Sequence, residues 1–87
     1  MAKTANGTGS ISGKVIDSNE EGAARALVEL LELGLQTYTD QDGNFEISDV
    51  PLGAHTIRVI ATGFRAKRQK IEISPSINNQ DIHLDPI

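Results

Sequence analysis

Few side chains in this sequence combine into a reacting constellation. The densest run of oxygen ligands is Asp40-Gln41-Asp42-Gly43-Asn44. Its spacing resembles the first half of an EF-hand calcium loop. A loop in that register would need an oxygen ligand at Tyr38 and a glutamate at Asp49, and neither position fits. The run reads instead as a turn, in which short polar side chains satisfy nearby backbone amides. His55 and His83 lie far apart, without a His-x-His or His-Glu-x-x-His spacing. Strand alternation turns His55 inward and His83 outward. The chain has no Cys, which removes disulfide and thiol chemistry. No serine occupies a nucleophile-elbow motif. Gly43, Gly53 and Gly63 fall in three separate turns and form no phosphate loop. No catalytic, cofactor-binding or metal-ligating set is expected, and no cofactor.

Charge points to partners more than to chemistry. The net charge is −4, yet Arg65, Lys67, Arg68 and Lys70 hold half of the eight basic residues. They form a candidate patch for an acidic or phosphate-bearing partner, set against the plainer reading of a solvated strand and turn. The remaining four basic and twelve acidic residues balance at −8, so a nucleic-acid footprint is absent. No run of about 18 apolar residues exists, and direct membrane insertion is not expected. Met1–Ser10 carries no apolar signal region.

The elements that position these residues are short. At 87 residues the chain is one domain with a thin core. With no Trp and three aromatics in all, Tyr38, Phe45 and Phe64, that core must come from Val, Ile, Leu and Ala. Residues 1–9 read as a disordered leader or expression remnant, and residues 10–87 as the domain. Turn signals recur about every 8–12 residues, a pattern of sandwiches and barrels. Alternation gives a first strand over Ile11–Ile16. A short one spans Gln36–Thr39, and another starts at Phe45. Further strands run from His55 to Ala61 and from Lys70 to Ser74, and Ile82–Leu84 forms the last. Ser74–Asn79 reads as a loop. Seven strands result. Ala23–Leu33 admits two readings: good helix formers ending at Gly34, or a strand with Ala26, Val28 and Leu30 inward. The inward positions predict a buried set of Val15, Val28, Leu30, Phe45, Ile47, Ile57, Val59, Ile73, Ile82 and Leu84.

The ordered motifs resemble carboxypeptidase regulatory-like domains. The matching pieces are Ile11-Ser12-Gly13-Lys14-Val15-Ile16-Asp17, then Ala26, Val28 and Leu30, then Thr39-Asp40-Gln41-Asp42-Gly43-Asn44-Phe45. Val50-Pro51-Leu52-Gly53, the pair Gly63-Phe64 and Ile82-His83-Leu84 complete the series, which covers residues 10–86. The resemblance implies an all-β, seven-stranded, Greek-key β-sandwich of the transthyretin-like type. It also implies that Ala26–Leu31 is strand. The chain departs from the family where a frequent Tyr is replaced by His55, and where a turn Pro is replaced by Ala23 or Ala24.

The family's settings imply a non-catalytic accessory module, a spacer, docking or protein-interaction domain of a larger extracytoplasmic protein. Such modules occur at the N-terminus of TonB-dependent outer-membrane transporters, beside metallocarboxypeptidase domains and in secreted multidomain proteins. Expected partners are flanking domains, another protein or a second copy. The alternative is a carbohydrate- or peptide-binding module, for which only Tyr38 and Phe64 offer stacking rings. Collagen-adhesin B-type domains share the architecture and form internal isopeptide bonds, but the corresponding Lys position falls on Ser12, and Lys14 and Glu29 both alternate outward.

One apolar feature exceeds what a solvated strand needs. Leu27 and Leu31 alternate outward, and Leu33 and Leu35 follow closely. These four leucines form a candidate contact surface for a flanking domain or a homo-oligomer.

Overall fold

A computed structural model of the chain describes residues 7–75 and 77–87. Most of the leader expected at residues 1–9 lies outside the described residues, and Thr8 and Gly9 already belong to the first strand. The strand segments are β1 (Thr8–Ile16), β2 (Leu27–Leu30), β3 (Leu35–Tyr38), β4 (Asn44–Pro51), β5 (Gly53–Ile60), β6 (Lys67–Ile73), β7 (Ile77–Asn79) and β8 (Ile82–His83). No described residue is helical.

The strands form two sheets. In the first, β1 lies between antiparallel β4 and parallel β7, and β8 also pairs with β1. The second has the order β3-β2-β5-β6, antiparallel throughout. β7 and β8 keep one register on β1: Ser12 faces Asn79, and Val15 faces Ile82. They occupy one strand position, broken at Gln80 and Asp81, so eight segments fill the seven positions of the sandwich. Gly13 explains the break. A Cβ there would run into the Gln80 carbonyl, so the edge strand crosses where a side chain would stand.

Ile77–Asn79 was expected to be loop, because its polar asparagines carry no strand pattern. Side-chain bonds secure it instead. The Asn78 amide nitrogen donates to the Ser10 carbonyl at 2.9 Å, and its oxygen accepts from the Ser74 hydroxyl at 2.9 Å.

Ala23–Leu33 resolves into strand flanked by turns, one residue shorter at each end than Ala26–Leu31. Val28 and Leu30 are fully buried, with β3 and β5 on either side. A lone helix here would bury one stripe, whereas β2 gains two hydrogen-bonded neighbours, so tertiary context overrides local propensity. Gly34, at φ 69°, closes the turn into β3.

All ten residues of the expected core are buried, joined by Ile11, Ala23, Ala26, Val50 and Ile71. Phe45 is the aromatic ring among them; Phe64 packs partly buried against the cluster. His55 is buried too, and its Nε2 donates to the Pro51 carbonyl at 2.7 Å. That bond ties the start of β5 to the turn leaving β4, a role open to an imidazole at this site.

Two turns share one bonding pattern. Asp17 Oδ1 accepts from the Asn19 and Glu21 amides at 2.8 and 3.0 Å. Asp40 Oδ1 accepts from the Asp42 and Asn44 amides at 2.8 and 2.9 Å. The fourth residue of each turn has positive φ, Glu20 at 66° and Gly43 at 84°.

Candidate functional site

The oxygen-rich run singled out in the sequence is spoken for by its own backbone. The Asn44 and Asp42 amides that bind the Asp40 carboxylate hold its carboxyl below the usual range. Among the described residues, no group of three or more His, Cys, Asp or Glu side chains is placed to hold a metal ion.

The outer face of the second sheet brings the two candidate partner surfaces together. Three cross-strand rows run over it. Leu27 stands beside Ile60 in the first. In the second, Glu29 faces Arg58, and Arg58 faces Arg68. In the third, the Leu31 amide donates to the Thr56 carbonyl at 3.0 Å, and Thr56 faces Lys70. Leu31 and Ile60 are 37% and 40% exposed, while Leu27 is half-buried. The sequence places these leucines and basic residues some forty positions apart; β5 places them on one surface.

The other members of both sets lie elsewhere. Leu33 and Leu35 are partly buried and pack against the core, so the four leucines do not form one outward row. Lys67 faces Val59 on the inward parity and is half-buried. Arg65 is in the loop after β5, where its amide donates to the Asp85 carbonyl at 2.9 Å.

Within these three rows, the electrostatics are specific. Arg58 chelates Glu29 through Nε at 2.8 Å and a terminal nitrogen at 2.7 Å. Arg68 and Lys70 are exposed beside that pair. The Glu32 carboxylate, just past β2, accepts from the Thr56 amide at 2.9 Å and so extends the ladder by one bond. That bond lowers its carboxyl below the ordinary range.

The first sheet's outer face differs in character. Glu46, Ser12 and Asn79 form one row, and Asn44, Lys14 and Asp81 a second. They floor an open depression of about 700 Å³, which Tyr38 and Asp40 also line. Sequence reading did not find it, because its residues are dispersed over the chain.

Strand order, register and core make this a transthyretin-like Greek-key β-sandwich. The chain belongs to the CarboxypepD_reg-like domain family, whose sequence profile matches residues 11–86. Members of that family are regulatory-like accessory domains. Among solved structures, the minor pilin GBS52 of Streptococcus agalactiae superposes with a TM-score of 0.77 at 15% identity, over 94% of this chain and 46% of that one. A chain of a type II cohesin–X-dockerin complex from Acetivibrio cellulolyticus gives 0.77 at 18%, over 86% and 56%. Catechol 1,2-dioxygenase from Acinetobacter gives 0.76 at 9%, over 99% and 55%. At these identities the likeness is one of fold, which binding modules and an enzyme share. The chain spans about half the length of these chains. No curated protein matches it.

Proposed function

We propose that this domain is a non-catalytic accessory module of a larger extracytoplasmic protein. We place it as an N-terminal module of a bacterial outer-membrane transporter or as part of a secreted multidomain protein. It docks a flanking domain or protein partner through the outer face of β3-β2-β5-β6. Family membership over residues 11–86 carries this reading. Two of the similar chains, a minor pilin and part of a cohesin–dockerin complex, are named for assemblies, which supports a docking role.

The side chains support it as well. The Asp40 and Glu32 carboxylates are bound to backbone amides, and the buried His55 ring to a backbone carbonyl. Groups held in this way stabilise turns and strand ends, and they are poorly disposed to shuttle protons. The docking face, by contrast, combines exposed Leu31 and Ile60 with Arg68 and Lys70, a mixture suited to a partner with apolar and acidic groups.

A titration of the isotopically labelled domain with the adjoining domain of its parent protein tests this. Amide shifts should map to Leu31, Arg58, Arg68 and Lys70, and the double variant Leu31→Asp, Arg68→Glu should abolish them. Binding mapped only to the first sheet, or unaffected by that variant, would overturn the assigned face. Hydrolysis of a peptide or ester substrate that one point substitution abolishes would overturn the non-catalytic reading.

A further inference from the structure

We propose that β6 accepts an extended acidic segment of a partner protein as an added antiparallel strand. The proposal deepens the docking reading, on which it rests: it names where on that sheet the partner attaches and the chemistry it carries.

The edges of the two sheets are not alike. An edge offers unpaired backbone groups to any passing strand, and proteins blunt it with short strands, bulges, proline or charge. β3 has four residues. β4 pairs with β1 through a register shift between Gly9 and Ile11, has a φ of 59° at Asp49 and ends on Pro51. β7 and β8 have three and two residues, with Gln80 and Asp81 between them. β6 runs for seven residues without Pro. Its register with β5 is continuous, from Lys67 opposite Val59 to Ile73 opposite Gly53. It closes the order β3-β2-β5-β6, so no described strand lies on its far side.

Parity sets which backbone groups reach that free side. The Thr56 carbonyl accepts from the Leu31 amide at 3.0 Å, and the Thr56 amide donates to Glu32 at 2.9 Å. Thr56 thus turns both groups toward β2. Successive residues of a strand bond to opposite sides. His55, Ile57 and Val59 therefore turn toward β6, where they meet Ile71, Gln69 and Lys67. Arg68, Lys70 and Glu72, between them, turn their amides and carbonyls outward at the spacing of a strand. The same three residues carry exposed side chains on the sheet's outer face.

Charge selects the strand that fits. A side chain added opposite Arg68 or Lys70 would stand about 4.5–5.5 Å away between Cβ atoms. Glu29 already binds Arg58, whereas Arg68, which faces Arg58, has no acidic partner among the described residues. An acid opposite Arg68 would supply one, and an acid two positions along would meet Lys70. Glu72 disfavours a third. On its inward parity the added strand would run past half-buried Lys67 and Gln69, which suits threonine and other strand formers. The fitting segment therefore carries two acidic residues two positions apart. A second copy of β6, with two basic residues to one acidic, fits less well.

The probe is the peptide acetyl-Thr-Val-Thr-Glu-Thr-Glu-Thr-Val-amide, added to the isotopically labelled chain at low salt. Amide hydrogen exchange reads the ladder. In the free chain the Arg68, Lys70 and Glu72 amides should exchange fast, and those of Gln69 and Ile71 slowly. Saturating peptide should slow the first three at least about 10-fold. The same peptide with lysine in place of glutamate should not bind. A version N-methylated at both glutamates keeps the charge and loses the ladder donors, and should bind at least about 10-fold more weakly. Glu72→Pro, which removes an outward amide and no bond to β5, should weaken binding, whereas Glu72→Gln should bind at least as tightly as the native chain. The altered peptides leave the protein unchanged, so the test holds even where the proline variant does not fold. Equal binding of the N-methylated peptide would overturn strand addition and leave docking through the sheet's face intact. Saturable shifts without slower exchange at the three amides would do the same. Failure of the glutamate peptide to bind, or equal binding of the lysine peptide, would overturn the acidic partner. Slowing of the three amides with rising protein concentration alone would make a second copy the occupant, and would overturn it too.

Discussion

The Thr39 hydroxyl accepts a hydrogen bond from the Ala26 amide at 2.8 Å and donates one to the Ala23 carbonyl. All three residues are buried. One side chain thereby satisfies two backbone groups of the irregular segment leading into β2, where Arg25 has a φ of 60°. Thr39→Val keeps the shape and strands both groups. Each buried unsatisfied group costs about 1–3 kcal/mol, so the variant should lose roughly 2–4 kcal/mol in urea unfolding. Thr39→Ser should lose less than half of that. Equal losses in the two variants would show that packing, and not the hydroxyl, matters at this position.

The paired turns give a second prediction. Glu20 and Gly43 occupy the same left-handed position in turns of identical bonding. A non-glycine residue there costs about 1 kcal/mol, partly offset by the extra freedom glycine brings to the unfolded chain. Glu20→Gly should therefore raise stability by up to about 0.5 kcal/mol. Gly43→Ala should do the reverse and more, because its Cβ would lie 2.6 Å from the Val15 carbonyl oxygen. A loss of at least about 2 kcal/mol is expected, measured by thermal unfolding of both variants side by side.

Much of the fold could be read from strand alternation, and the reason is visible in Val28 and Leu30. They lie two positions apart, which puts them on one face of a strand but on nearly opposite sides of a helix, so their joint burial followed from the strand reading of Ala23–Leu33 alone. Thr39 was different. Its partners lie 13 and 16 residues upstream, and no local pattern marks a threonine as buried. The two candidate faces were hidden for a related reason. Leu31 and Lys70 flank Thr56, and Ser12 meets Glu46 and Asn79, only through cross-strand register. Register depends on pairing between distant segments, which side-chain alternation within one segment does not encode.

Acid should weaken the domain through Asp40 and Glu32. Backbone amides hold both carboxyls below their ordinary values in the folded state. A depressed folded pKa stabilises the fold above the unfolded pKa, near about 4, and that stabilisation is lost as pH falls through the folded value. Stability should thus be flat from neutral pH down to about 5 and decline below about 4. In the double variant Asp40→Asn, Glu32→Gln the decline should be shallower. A decline of unchanged steepness, followed by chemical denaturation across that range, would assign the acid sensitivity to other groups.

Arg58 and Arg68 stand directly opposite each other on β5 and β6, an arrangement that costs stability when like charges face across a pair of strands. Glu29 offsets part of the cost by binding Arg58 from the other side. Arg68 remains exposed beside that pair, with Lys70 two positions on. Under the proposed docking role, Arg68 would meet an acidic group of the partner. Arg68→Glu would replace the unfavourable pair with an attractive one. It should raise stability by about 0.5–1 kcal/mol at low ionic strength. The gain should shrink toward zero in about 1 M salt, where the screening length falls to about 3 Å. The same substitution should weaken docking to an acidic partner, so one change would improve folding and impair association. If Arg68→Glu lowers stability at low salt, the cross-strand repulsion is not felt in solution. The basic row would then be an ordinary solvated edge.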